Sequence, residues 1–515
     1  MTSRRSPTPA RVAFLIGLGA VLVLAHVLFW RCVAPGIGLA TDFMPYTLPV
    51  HEALAGRPFV MIHHPPLYPL AILLLCQSGN LEPFAAAEVL QWVCHLALPL
   101  VAGAVAWWLT SAAVLPSLLA MVTLAASPHV LDLGGQIASE HLFVILTLGA
   151  LGLLGSHLEA PGGTRWLWAS ATLAALALLT RYAGLALAGT TILLLLGQRK
   201  AWGERLREAA VASAVTLGPL GLQVLRNQLQ HDNAVNREFS FKGVPWHKFD
   251  HGLQVMMTWW APQSLVSLPA ALVVVLLGGL AWFGMLRRAT ASSTPPGSRI
   301  GLGLRVLGVY STLYLAFILA CMMFADAWIP FDHRILFPVQ ATTTLALAGA
   351  LAFVGAGGFR WRLAVTVAAA ALMLLNLRRG WLLSGDYAAK GIGYAAHVTH
   401  ATSFAEQVRR LPGTALLISN RPELAYCYVQ RGVEGLPFRF DYLNARPARD
   451  LEGMLAMLAG KVGRAPEAFL IAFPETSADC VLPEALFRHA AFVPVWDDAN
   501  GRIWRRAPRP SPVVP

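Results

Sequence analysis

Few side chains in this sequence can do acid–base or anion chemistry, and those that can sit between long apolar runs or at their ends. Asp42 follows the first run closely; a carboxylate there can take a proton from a hydroxyl, or it can cap a helix opened by Pro45. Glu140 stands beside Ser139 where another apolar run begins. An ionisable group at a membrane edge is costly unless it is used, although a negative side chain at a helix start also suits the helix dipole. Asp132, in the same interval, competes with it. His63 and His64 precede Pro65 and Pro66, and imidazole either ligates a metal or hydrogen-bonds to backbone. Arg334, with Arg181 and Lys248 as seconds, is a cation of the kind that holds phosphate; for Arg334 an ion pair with Asp332 or Asp326 is the alternative. Tyr46, Tyr68 and Trp246 add aromatic faces between the apolar runs, while Trp259 and Trp260 read as an interfacial belt or as further aromatic contacts.

The elements that must position these groups follow from composition. Of 515 residues only 13% are charged and 56% are hydrophobic, against roughly 25% charged in a soluble domain. A mean hydropathy of +0.57 over this length requires many apolar runs and not one large core. The chain reads as a polytopic α-helical membrane protein. Its formal charge of +12 lies mainly in short loops, where the positive-inside rule accounts for it without nucleic acid. The six cysteines are too scattered for a disulfide framework, and Cys427 with Cys480 is the one pairing left open.

A spanning helix needs about 20 apolar residues, and Val12–Val33, behind Arg4, Arg5 and Arg11, is the first; its length and Arg31 favour a retained anchor over a cleaved signal. Further runs near 84–108, 111–127, 140–156, 166–180, 182–198, 209–226, 263–286, 305–324, 335–357 and 363–383 bring the total to about eleven transmembrane helices. Leu67–Gln77 is short for a span and reads as interfacial or re-entrant. If it does not cross, Arg199, Lys200, Arg287, Arg288, Arg360 and Arg362 fall on the side of the N-terminal arginines. That topology puts the N-terminus in the cytoplasm and the loops 34–83, 128–139, 227–262 and 325–334 outside.

After Trp381 the composition becomes that of a soluble domain. The sequence divides into a transmembrane module over 1–383 and a small extracytoplasmic α/β domain over 384–515. Ala415–Ser419 and Ala468–Phe473 read as buried strands, Pro422–Val429 as a short helix, and Phe492–Trp496 with Arg502–Arg505 as a hairpin.

The order of motifs resembles the C-type glycosyltransferases, among them protein O-mannosyltransferases and the aminoarabinose transferases of lipid A. It runs from Asp42 through Gly56, Arg57, Pro58 and Phe59 to His64, Pro65, Pro66, Leu67, Tyr68 and Pro69. It continues with Ser127 and Pro128, Ser139 to Phe143, Thr180 to Gly184, and Asp332 to Pro338. This resemblance implies an enzyme that moves a sugar from a polyprenyl-phosphate carrier to an acceptor on the outer face of the inner membrane, with inversion. It also implies Asp42 as general base, Glu140 as the second acidic residue that positions or assists, and Arg334, Arg181 and Lys248 as contacts of the donor phosphate. Tyr46, Tyr68 and Trp246 would line the substrate pocket. In the aminoarabinose transferases a glutamate near this place helps bind a metal; this chain departs from that pattern, with His63 and His64 there instead, which either ligate a divalent metal ion or hydrogen-bond to backbone, and no other cofactor is implied. A multi-span transporter or flippase is the alternative; it predicts ionisable residues near mid-span, whereas the acids gather in loops and at span ends.

Overall fold

A computed structural model describes residues 9–39, 43–61, 64–159, 164–231, 238–260, 295–356, 358–396, 402–442, 444, 446–474 and 480–507. Seven helices among them are long and apolar enough to cross a membrane. In order these are α1 (Pro9–Cys32), α4 (Pro83–Leu109), α7 (Glu140–Glu159), α10 (Trp202–His231), α12 (Pro295–Phe324), α13 (His333–Gly355) and α14 (Phe359–Lys390). Shorter helices occupy other expected spans: α5 (Val114–Ala126), α8 (Thr164–Thr180) and α9 (Leu185–Leu196). The expected span 263–286 lies outside the described residues.

Between α1 and α4 run two helices too short to span, α2 (Phe43–Leu54) and α3 (Leu67–Gly79), as the apolar length at Leu67 leads one to expect. α3 stops at Asn80, whose left-handed backbone lets its N–H reach back to the Cys76 carbonyl. The interval 128–139, expected as a loop, instead opens with α6 (Pro128–Gly134), bent by 51° from α5. Proline accounts for the break: Pro128 disfavours helical backbone at Ser127, which is extended, and then starts the new helix at its first position. Gln340 of α13 bonds Ser127 Oγ at 2.9 Å and so fixes the corner. The loop expected over 227–262 is also partly helical. α10 continues to His231, and α11 covers Trp246–Thr258.

The bundle packs α7 against α8, α4, α12 and α13 around Leu98, Phe143, Tyr310 and Phe337. Without water to drive association, close approach depends on small residues. At Gly155 an added Cβ would lie 2.4 Å from the Trp108 ring, and at Gly380 it would lie 2.2 Å from the Ala126 carbonyl. The second contact seats α14 on the α5–α6 corner. At the end of α1, Arg31 stacks over Trp381 at 3.9 Å and donates to Ser384 Oγ at 3.2 Å, tying the first helix to the last.

The helix expected to end at 383 runs to Lys390, and the α/β part begins at α15 (Ser403–Arg409). A two-stranded ribbon pairs β3 (Phe440–Asp441) with β4 (Arg446–Pro447), and the main sheet sets β2 (Glu434–Gly435), β1 (Leu416–Ser419), β5 (Ala468–Ala472), β7 (Gly501–Arg506) and β6 (Phe492–Asp498) side by side in that order. β1 lies parallel to β2 and to β5; β7 is antiparallel to both β5 and β6. The two apolar runs are the central parallel strands because both faces are covered, by α16 (Pro422–Val429) and α17 (Leu451–Arg464) among others. Tyr426 of α16 donates to Thr47 Oγ1 of α2 at 3.0 Å and packs on Phe43, which docks this domain onto the short helices. All six cysteines are free thiols, Cys427 and Cys480 included.

Gly380→Ala is expected to lower the apparent melting temperature of the purified protein, since overpacking of this kind costs about 1–3 kcal/mol. Gly358→Ala, where a new Cβ meets nothing, serves as the control. Equal melting of the two variants would show that α14 does not bear on the corner.

Candidate active site

Three element ends meet at one carboxylate. Glu140 begins α7, Arg181 lies in extended backbone between α8 and the single turn Tyr182–Gly184, and Arg334 is the second residue of α13. Glu140 Oε1 accepts from Arg181 Nη1 at 2.8 Å and from Arg334 Nε at 3.1 Å. The carboxylate is 2% exposed, and its other oxygen, Oε2, is buried without a hydrogen-bond partner. Both guanidinium groups retain a little exposure, 18% for Arg181 and 17% for Arg334. The three side chains carry a formal net charge of +1.

The support around them is specific. Arg181 Nη1 also donates to Ser139 Oγ at 3.1 Å, and Ser139 Oγ shares a 2.9 Å hydrogen bond with the Tyr46 hydroxyl. The Tyr46 ring lies 5.1 Å from Tyr68 and 5.3 Å from His64, centroid to centroid. The first turn of α13 is held twice over. Asp332 Oδ1 accepts the N–H groups of Arg334 and Ile335 at 3.0 and 3.2 Å, and the Tyr314 hydroxyl donates to the Ile335 carbonyl at 2.7 Å. Asp332, one of the two acids set against Arg334 as ion-pair partners, therefore caps the helix, and Asp326 accepts from the Trp328 N–H.

A second polar network adjoins the first through the neighbours His333 and Arg334. Asp132 of α6 takes hydrogen bonds from Gln136 Nε2 at 2.8 Å and from the Tyr387 hydroxyl, and pairs with His333 Nε2 at 2.8 Å. His129, one turn before Asp132, stacks on His333 at 5.4 Å and bonds Thr258 Oγ1 at 2.8 Å. Tyr387, His129 and Tyr314 were not singled out from sequence. Only the helical spacing of His129, Asp132 and Gln136 hints at a shared face, whereas Tyr387 carries no local signal.

Of the site residues named from sequence, Glu140, Arg181, Arg334, Tyr46, Tyr68 and His64 come together. Lys248 does not join them: its ammonium donates to the carbonyls of Ala327 and Ile329, fastening α11 to the loop before α13, and burial holds its pKa below the ordinary lysine range. Trp246 is 66% exposed, with its ring beside Phe249. Asp42 and His63 lie outside the described residues. Among the described residues, no three His, Cys, Asp or Glu side chains converge as metal ligands.

No family model and no curated protein matches the chain. Solved structures do match in fold. ArnT from Cupriavidus metallidurans bound to undecaprenyl phosphate superposes with a TM-score of 0.55 at 15% identity, over 98% of this chain and all of that one. The Archaeoglobus fulgidus oligosaccharyltransferase in complex with zinc and sulfate gives 0.53 at 11% identity, over 88% of this chain and 68% of that one. The mycobacterial arabinofuranosyltransferase AftD gives 0.53 at 14% identity, over 96% of this chain and 40% of that one. The fold is thus that of the C-type glycosyltransferases, a polytopic membrane bundle with a C-terminal domain.

Glu140→Ala removes the buried carboxylate that both guanidinium groups share, and a loss of about 3–5 kcal/mol is expected on breaking such a pair. Adding Arg181→Met to that variant should recover part of the loss. Thermal melts of the three proteins decide it, and wild-type melting of Glu140→Ala would exclude the buried pairing.

Proposed function

We propose that the protein is a membrane glycosyltransferase that takes a sugar from a polyprenyl-phosphate carrier and passes it to an acceptor hydroxyl on the extracytoplasmic face. The observation that carries this reading is the meeting of Arg181 and Arg334, both partly exposed, at the buried Glu140 carboxylate. Two guanidinium groups placed side by side can donate charge-assisted hydrogen bonds to a phosphodiester of charge −1. Support also comes from the fold, since ArnT, of the same fold, has been solved with undecaprenyl phosphate.

In the proposed reaction Asp42 takes the acceptor proton as the acceptor oxygen attacks the anomeric carbon from the face opposite the phosphate. The bond from that carbon to the phosphate oxygen breaks, the configuration inverts, and the polyprenyl phosphate departs. Its charge grows from −1 to −2 as the bond breaks. A fixed pair of guanidinium groups therefore favours the transition state over the bound donor, which is the condition for catalysis. Glu140 acts as the positioning residue, because one of its oxygens orients both arginines, while Oε2 is left for a ligand hydroxyl. Tyr46 and Tyr68 form the wall beside the arginines.

In this reading the N-terminus is cytoplasmic, the module 1–383 holds the reaction centre in the inner membrane, and the domain 384–515 lies outside. Cells lacking the protein should accumulate a polyprenyl-phosphate-linked sugar, measured by mass spectrometry of extracted lipids. Wild type should clear it, and Asp42→Asn or Arg334→Gln should not. In parallel, purified Arg334→Gln is expected to bind undecaprenyl phosphate about tenfold to a hundredfold more weakly, the loss of a charge-assisted pair. An unchanged lipid profile would overturn the transferase reading and favour the transporter.

A further inference from the structure

Two cavities open along the seam between α1 and α4, and none of the residues of the arginine site lines either of them. The first, about 570 Å3, lies where the loop after α1 meets the C-terminal domain; its walls include Ile37, Leu39, Phe84, Glu88, Arg409 and Tyr428. The second, about 450 Å3, is an apolar groove between Leu22, Val23 and His26 of α1 and Leu96, Ala97 and Leu100 of α4.

The two belong to one stripe. On α4, Ala85, Glu88, Trp92, Leu96 and Leu100 recur every three or four residues, so they share a face. On α1, His26 ends the groove and Trp30 follows it, one turn nearer the loop. Trp92 Nε1 donates to His26 Nδ1 at 3.2 Å, and Trp30 lies 6.4 Å from Trp92. The seam thus runs from a cleft holding an acid and a base, through a belt of two indoles and an imidazole, to a groove of aliphatic carbon. From Ala85 to Leu100 it covers roughly 22 Å at about 1.5 Å per residue. One leaflet of a bilayer, headgroup included, measures about 20–22 Å.

The geometry points to a bound phospholipid with a phosphoethanolamine headgroup, its ammonium on Glu88, its phosphate on Arg409 and one acyl chain in the apolar groove. Glu88 shares the cavity wall with Ile37, and the Arg409 guanidinium lies 5.4 Å from the centre of the Tyr428 ring. The headgroup follows from the pair of charges. A primary ammonium donates hydrogen bonds to a carboxylate, whereas a trimethylammonium has none to donate, and a glycerol headgroup offers Glu88 no positive charge. The occupant would touch the loop after α1, α4 and the C-terminal domain at once, so it would brace the domain against the bundle. This inference depends on the membrane fold alone and not on the proposed reaction.

The test uses the full chain, delipidated in mild detergent and then offered phosphatidylethanolamine, phosphatidylcholine or phosphatidylglycerol of one acyl composition. Native mass spectrometry and thermal melting are the readouts. The expected result is one retained phosphatidylethanolamine per chain with a raised melting temperature. Binding should weaken about tenfold in Glu88→Gln and in Arg409→Gln, and retention should fall again in Ala97→Trp, which fills the apolar groove while leaving the headgroup cleft untouched. Arg409 is exposed, so its replacement spares the fold. Equal retention of all three lipids, or retention of phosphatidylethanolamine that none of the three variants alters, would mean unselective annular lipid and overturn the proposal.

Discussion

One oxygen of one carboxylate receives two guanidinium groups in a place almost closed to water, and the ends of three helices are arranged so that this can happen. Burying these charges separately would cost several kcal/mol each; together, the attraction of Glu140 for two cations repays most of that cost. Helix dipoles help unevenly. Glu140 sits at the N-terminus of α7 and Arg181 just past the C-terminus of α8, and both signs are favourable there. Arg334 sits at a helix N-terminus, where a cation is unfavourable. Asp332, capping the same turn with its carboxylate, supplies the offsetting negative charge.

That arrangement fixes what lies next to it. α13 must start at a level that lets Arg334 reach Glu140, and its neighbour His333 then falls beside Asp132. Asp132 reaches that position because α5 breaks at Ser127 and turns by 51° into α6. An unbroken helix would carry the residues of α6 along the α5 axis. The close contact of Gly380 with the Ala126 carbonyl and the Tyr387 hydroxyl on Asp132 both come from α14, so the last helix holds the corner at two points. A proline, a glycine and a tyrosine far apart in sequence thus serve the register of one arginine.

The parts legible in the sequence were those fixed by local chemistry. Apolar length marked the helices, alternation and turn residues marked the β6–β7 hairpin, and the apolar pentad at Ala468 marked the central strand. α16 has the bounds that Pro422 and the apolar run after it lead one to expect. The candidate site was legible as a set of residues but not as a set of partners. Glu140 and Arg334 are 194 positions apart, and nothing nearby in sequence distinguishes Arg334, which reaches another helix, from Lys248, whose ammonium is taken up by loop carbonyls. For the same reason the nearest acid to Arg334 in sequence, Asp332, was a plausible ion-pair partner and turned out to cap the helix. Continuation of α10 to His231 was hidden because its last turns are polar, and polarity was read as the end of the helix.

The C-terminal domain is more than an appendage on this geometry. The segment 40–42 is bracketed by two fixed points. Leu39 pairs with Gly393, and its carbonyl accepts the Tyr394 N–H at 3.1 Å. Phe43 packs against Tyr394, Phe84 and Tyr426 with ring centres 5.7–6.1 Å apart. Two of these three rings, and the strand partner of Leu39, belong to the chain beyond α14. A turn of α2 further on, Tyr46 reaches Ser139 and through it Arg181. The ends of the segment that carries Asp42 are thereby set from the domain side and from the bundle side together. A shift of the domain at Phe43 is carried on to Tyr46, because both lie in one helix. The buried Tyr426–Thr47 hydrogen bond holds the same helix from the domain side, one residue beyond Tyr46, so the contact that docks the domain and the contact that reaches Arg181 share one turn of α2.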